Sequence, residues 1–142
     1  MDLTIRPARA EDRDAIADLL GQLGYPTSPD AVPARLERMQ ILGDKVVVGE
    51  LDGRVVAVAA LQVAPTLELD APAAKLAALV VDERNRGTGV GRALVEALEA
   101  EARSRGCGVF FLTTAERRAG AHAFYRRIGL EETGRRFAKR LD

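Results

Sequence analysis

"VVDERNRGTGVGRAL", Val80 to Leu94, decides how the rest of this chain is read. Two valines close an apolar run and a charged turn follows. Gly87, Gly89 and Gly91 then alternate with Thr88 and Val90, and beyond them come good helix formers. A strand that turns through glycines into a helix is suited to holding an anion. The first amides of a helix lack internal partners, and the helix dipole places about half a positive charge there. Glycine lets the backbone approach phosphate oxygens and take conformations closed to other residues. The bland alternative is a glycine-rich turn that binds nothing.

Two nucleotide-binding loops can be tested against this stretch. A P-loop ends in Gly-Lys-Ser/Thr, but Gly91 is followed by Arg92 and Ala93. A dinucleotide fingerprint started at Gly87 needs glycine at position 92. Started at Gly89, it needs a small residue where Leu94 stands. Both fail.

Working outward, "KLAALVV" before the loop is apolar on both faces and reads as a buried strand. "GVGRALVEALEAEARSRG" after it is a helix with Val90, Leu94, Ala97, Leu98 and Ala102 on one side. Glu99–Arg103 and Glu101–Arg105 are ion pairs on the other, and Gly106 is the stop. "GVFFLTT" is a strand and "RRAGAHAFYRRI" a helix closed by Gly129. "LEETGRRFAKRL" is the expected last strand. Upstream, "KVVVGELDGRVVAVAALQV" places two β-branched runs around Asp52-Gly53, a favoured pair for a tight hairpin. "LTIRP" is a first strand. "EDRDAIADLLGQLG" is a helix with Ala15, Ile16, Leu19, Leu20 and Leu23 on one face. "SPDAVPARLERMQIL" is a second helix carrying Val32, Leu36, Met39 and Ile41, with Pro29 and Pro33 near its start. "APTLELDAPAA" is a loop. The order is strand, two helices, three strands, helix, strand, helix, strand. It predicts one mixed α/β domain spanning 1–142, with a crossover around the glycine loop.

Composition fits a globular domain. The chain has 142 residues, 47% of them hydrophobic and 30% charged. Lys plus Arg (21) equals Asp plus Glu (21), which disfavours a general nucleic-acid binder. Cys107 is the single cysteine, so no intrachain disulfide can form. The N-terminus has no signal-peptide core and no run reaches a membrane span, so a complete cytoplasmic protein is expected.

One pattern does fit the loop. Arg86-Gly87-Thr88-Gly89-Val90-Gly91 matches Arg/Gln-x-x-Gly-x-Gly/Ala after an apolar strand, and "AHAFYRRIGL", Ala121 to Leu130, follows a helix and a strand later. Together these resemble the GNAT superfamily of acetyl-CoA-dependent N-acetyltransferases. The chain endings are most similar to compact bacterial members acting on small amines, including aminoalkylphosphonate and aminoglycoside acetyltransferases. The resemblance implies a mixed, mostly antiparallel sheet of six to seven strands with about four helices and splayed central parallel strands. It implies acetyl-CoA as cosubstrate, a small-molecule amine as acceptor and direct transfer in a ternary complex. A homodimer, a lysine or protein N-terminus as acceptor, and a CoA-binding sensor without catalysis are the further possibilities it raises. It implies no metal.

Carried onto this sequence, backbone groups of Leu79, Val80 and Val81 would meet the pantetheine arm. Pantetheine is an amide chain, so an unpaired strand edge suits it. The amides from Arg86 through Gly87, Thr88, Gly89 and Val90 to Gly91 would wrap the pyrophosphate. Arg92 and Arg84 are candidate added charges, against a reading as solvated surface. Val80's amide is a candidate for the thioester oxygen. Tyr125 matches the tyrosine that protonates the leaving thiolate. A phenol of pKa about 10 and a thiol near 8.5 make that transfer uphill by only about 2 kcal/mol. The base is less clear, because many relatives carry a carboxylate where this chain has Ala77 and Ala78. An amine of pKa about 10 costs roughly 4 kcal/mol to deprotonate at pH 7. Glu68 and Asp70 are the candidates to relay that proton through water, against a reading as an acidic surface loop. His122 is a candidate base set against a structural role, and Cys107 reads as a buried inert thiol. The acceptor is expected among the early helices, the "YPTSP" turn and the "LELDAP" loop, where Asp30, Glu68 and Asp70 stand beside Arg35 and Arg38. Acidic groups suit a polyamine or aminoglycoside. Arginines suit a phosphonate or carboxylate.

Overall fold

Alternation of β-branched residues and alanine builds the sheet. The computed structural model describes residues 2–113, 119–134 and 136–141. Strands β1 (Leu3–Pro7), β2 (Lys45–Leu51), β3 (Arg54–Ala64), β4 (Ala73–Val81) and β5 (Val109–Phe111) lie in that spatial order. All neighbours are antiparallel except β4 and β5, which are parallel. Helices α1 (Arg13–Leu23), α2 (Val32–Ile41), α3 (Val90–Ser104) and α4 (Ala119–Arg127), with three short 3-10 turns, complete the described elements. The β2–β3 hairpin turns at Asp52 (φ 49°) and Gly53 (φ 75°). Two successive positive φ angles are what a two-residue turn between twisted strands requires.

The sheet is covered on both faces. Ile16, Ala17 and Leu19 of α1 and Val32 and Leu36 of α2 pack with Val46, Val48, Val58, Ala60 and Val80. Val90, Leu94, Val95, Leu98 and Ala102 of α3 pack on the other face with Val47, Ala59, Leu61, Ala74 and Leu76. Gly49 lets α3 seat closely, since a Cβ there would stand 3.0 Å from Leu94 Cδ1.

The register of β3 against β4 slips by one residue. Ala60 pairs with Ala78 and Leu61 with Leu76, which leaves Ala77 as the extra residue of a bulge. A bulge moves alternate side chains to the opposite face and bends its strand. Ala74 and Leu76 face α3 before it. Afterwards Leu79 and Val81 face α3, while Ala78 and Val80 face α1 and α2. Just before this bend the ladder to β5 stops, after the pairs Ala73–Val109, Ala74–Phe110 and Lys75–Phe111.

Several expectations change. Among the described residues the sheet has five strands, not six or seven. Residues 130–134 and 136–141, the expected last strand, carry no strand, because no ladder partner pairs with them. Strand β5 is shorter than "GVFFLTT", and Thr114 of that stretch lies outside the described residues, as do Arg117 and Arg118 of the expected late helix. Strand β4 starts earlier, at Ala73. Pro29 opens a single 3-10 turn and Pro33 sits in the first turn of α2, where a missing N–H costs nothing. Ile41 is exposed at the end of α2, because the helix stops before its face returns to the sheet. The two i,i+4 pairs of α3 are present, Arg103–Glu99 at 3.6 Å and Arg105–Glu101 at 2.8 Å.

One buried ion pair ties the first strand to the first helix. The Arg6 guanidinium donates to both Asp12 carboxylate oxygens at 2.9 Å, and Arg9 N donates to Oδ2 at 2.8 Å. Arg6 also reaches Glu50 on β2 at 3.3 Å. Hydrogen bonds from Arg6 hold the Asp12 carboxyl below the usual aspartate range despite its burial. A depressed carboxyl contributes stability above its unfolded pKa and loses it as pH falls through the lower folded value. Asp12→Asn is therefore expected to cost about 1.5–3 kcal/mol at pH 7. The gap between wild type and variant should close as pH drops below about 4. Urea unfolding across pH 3–7 measures both.

Candidate active site

The site begins where β4 loses one neighbour. Asp82 N donates to Val56 O of β3 at 2.8 Å. Backbone groups alternate direction along a strand. Those of Leu79 and Val81 therefore point away from β3, toward the side on which the described β5 ladder ends at Lys75–Phe111. The groups of Val80, which pairs with Val58, turn toward β3. Its amide is thus committed to the sheet and does not face the gap, which corrects its place beside Leu79 and Val81. Ala77, at the bulge, is exposed.

Past β4 the chain is clasped in several places. Buried Asp82 accepts Arg84 N at 3.0 Å, Arg84 Nε at 3.3 Å and a guanidinium N–H of Arg84 at 3.1 Å. These bonds hold the Asp82 carboxyl below the usual range and raise the Arg84 guanidinium. Gln22 Oε1, at the end of α1, accepts Glu83 N at 3.0 Å. Thr88 Oγ1 donates to Asn85 O. Arg86 Nε donates to Val81 O at 3.1 Å.

The glycines then set up the helix start. Gly87 has φ 77° and Gly89 φ 93°, and Gly89 caps α3 with no side-chain hydrogen bond. No acidic side chain stands in the first turn of α3. The leading amides of α3 therefore keep their capacity to meet an anion. Gly91 packs the first turn of α3 against α4 and β4, since a Cβ there would lie 3.4 Å from Phe124 Cζ and from Val81 Cγ2. Both arginines put forward as phosphate charges have carboxylate partners, Arg84 on Asp82 at 3.1 Å and Arg92 on Glu96 at 3.2 Å.

Tyr125 sits beside Phe124 on α4, their rings edge-on at 5.5 Å between centroids. Phe124 contacts the glycine turn, and half-buried Tyr125 and His122 line a cavity of about 790 Å³ between β5, α4 and the segment after α4. That volume suits a small ligand. Glu68 and Asp70 are exposed on the β3–β4 loop and do not line it. Thr113, Glu131 and Glu132 do. Cys107 is half-buried against the α3 core. Among the described residues no group of three or more His, Cys, Asp or Glu stands together to hold a metal, and no helix is long and apolar enough to cross a membrane.

Sequence reasoning missed Asp82 and Gln22 as supports of the loop. Asp82 carried a signal, because an aspartate after a strand that bonds the amide two residues on is an Asx turn. Gln22 carried none, because its partner is distant in sequence.

The acetyltransferase (GNAT) family model matches residues 14–130. No curated protein matches the chain. Solved structures do match over nearly the whole length. An acetyltransferase from Trypanosoma brucei is 27% identical, with TM-score 0.84, covering 99% of this chain and 100% of its own. Glucosamine-6-phosphate N-acetyltransferase from Arabidopsis thaliana has TM-score 0.86 at 24% identity, covering 100% of both chains. The aminoglycoside N-acetyltransferase AAC(6')-Iy, solved in complex with CoA, has TM-score 0.84 at 21% identity, covering 98% of this chain and 94% of its own.

The three glycines are not equivalent. Gly87→Ala and Gly89→Ala force a side chain to positive φ and are expected to cost about 1–2 kcal/mol each. Gly91→Ala meets ordinary contact distances and should lower the melting temperature least of the three. Thermal unfolding of the three variants checks the order.

Proposed function

The chain belongs to the GNAT family of acetyltransferases, and from that premise we propose that it carries an acetyl group from acetyl-CoA directly to a primary amine of a small molecule. The observation that carries this reading is the strand β4. It loses its β5 partner at Lys75, bulges at Ala77 and runs into an uncapped helix through glycines of positive φ. These features fit the parts of one extended ligand. Backbone edges at Leu79 and Val81 suit an amide chain. The amides from Arg86 to Gly91 and the α3 dipole suit its pyrophosphate.

Chain groups then meet the needs of the reaction. The donor supplies an activated acetyl group as a thioester. A neutral amine attacks its carbonyl carbon to form the C–N bond, the nitrogen gives up a proton, the C–S bond breaks and the thiolate takes up a proton. Tyr125 is assigned that proton, since its position beside Phe124 puts it on the helix that touches the glycine turn. The cavity that Tyr125 lines is the acceptor pocket in this reading. Glu68 and Asp70, exposed outside that wall, keep only the role of a relay through water. Val80 keeps its side-chain role in the core and loses the role of oxyanion donor.

Incubation with acetyl-CoA, a panel of small amines and a panel of peptides, followed by free-thiol release, tests the acceptor class. Turnover of amines is expected. Turnover of peptides alone would overturn the small-molecule acceptor. Tyr125→Phe should lower kcat about a hundred-fold with KM for acetyl-CoA little changed. An unchanged kcat would remove Tyr125 as the acid.

A further inference from the structure

We propose that the Arg86 side chain is a positioning residue that fixes the glycine turn to the end of β4, and that it does so through its Nε–H and not through its charge. The inference rests on the donor reading above. Strand parity turns the Val81 carbonyl away from β3, toward the gap beyond the β5 ladder. Among the described residues no strand pairs with that acceptor, so it takes a partner from a side chain or from water. Arg86 Nε supplies it at 3.1 Å. The chain between them, Asp82 to Asn85, is held by Asp82 through Arg84 N and by Asn85 N donating to Asp82 O at 2.8 Å. The Arg86 bond closes the outer side of the same turn, one residue before Gly87 takes up positive φ. It ties the start of the glycine turn to the strand, and the Thr88 hydroxyl on Asn85 O ties the turn to itself.

Arg86 differs from its neighbours in this respect. Arg84 and Arg92 are engaged by carboxylates, whereas the partner of Arg86 among the described residues is a backbone carbonyl. The bond also reassigns the strand edge. With Val81 O taken, an amide chain lying along β4 has the Leu79 groups and the Val81 N–H to pair with, and not the last carbonyl.

The side chains available for substitution separate position from charge. Glutamine Nε2 lies the same number of bonds from the backbone as arginine Nε, so Arg86→Gln keeps the donor and removes the charge. Arg86→Met keeps the stem and removes both. Calorimetric titration of CoA into wild type, Arg86→Gln and Arg86→Met, with thermal unfolding as a folding control, reads the difference. Arg86→Met is expected to weaken CoA binding about ten-fold, the loss of one hydrogen bond. In turnover it should raise KM for acetyl-CoA and leave kcat within about two-fold, since the bond touches no reacting atom. Arg86→Gln should restore most of the affinity. Equal weakening in both variants would make Arg86 a charge on the phosphates and overturn the proposal. So would wild-type affinity in Arg86→Met. Failure of wild type itself to bind CoA would overturn the donor reading, and this inference with it.

Discussion

Between Lys75 and Leu79 strand β4 stays paired with β3 while its described ladder to β5 ends, and Ala77 is the extra residue of the bulge. An extra residue on one strand re-aims everything beyond it. Side chains change faces, which is why Leu76 and Leu79 both pack toward α3 although three positions apart. Backbone groups change direction with them, so those of Leu79 and the Val81 N–H turn away from β3, while Val81 O meets Arg86 Nε. Without the slip, the residues before the glycine turn would present the opposite set of groups.

Side-chain groups beyond the strand bond to one another and to the main chain. Asp82 is spent on Arg84, Glu96 on Arg92 and Gln22 on the Glu83 amide. What the turn presents at the start of α3 is backbone dipole, with no acidic side chain in the first turn to oppose an anion. This division has a physical advantage. A side chain must be ordered to bind, whereas main-chain amides fixed by folding are already in place.

The sequence made the local features legible and left the registers unread. Asp52-Gly53, the α3 stripe and the spacing of Gly87, Gly89 and Gly91 each have a short-range cause and are present, with Val95 rather than Ala97 in the buried stripe. The bulge has no such signal. Around it the chain reads Leu-Ala-Ala-Leu, apolar on both faces, so a one-residue slip changes no hydrophobic pattern. The expected last strand has alternation of a kind, but pairing depends on partners that pattern alone does not contain. At the site, the glycine loop and Tyr125 came from a motif. The partners of Arg84, Arg92 and Arg86 had to be seen in space, because a guanidinium reaches as readily to a nearby carboxylate or carbonyl as to a phosphate. Glu68 and Asp70 were put forward by charge and position in the chain, and neither brings a side chain to the wall that Tyr125 lines.

The order of strands in space follows their order in the chain. A two-residue turn closes the β2–β3 ladder at small entropic cost, whereas β5 must wait for the whole of α3 and then gains three pairs. Opening free energy is lowest where a ladder is short and neighbouring backbone groups lack strand partners. The short β4–β5 ladder is therefore expected to open before the longer ones. A ligand lying across strand and turn adds its binding free energy to that boundary through linkage. In the reading proposed above, a bound donor would reinforce this seam, and amide exchange there would gauge occupancy as much as folding.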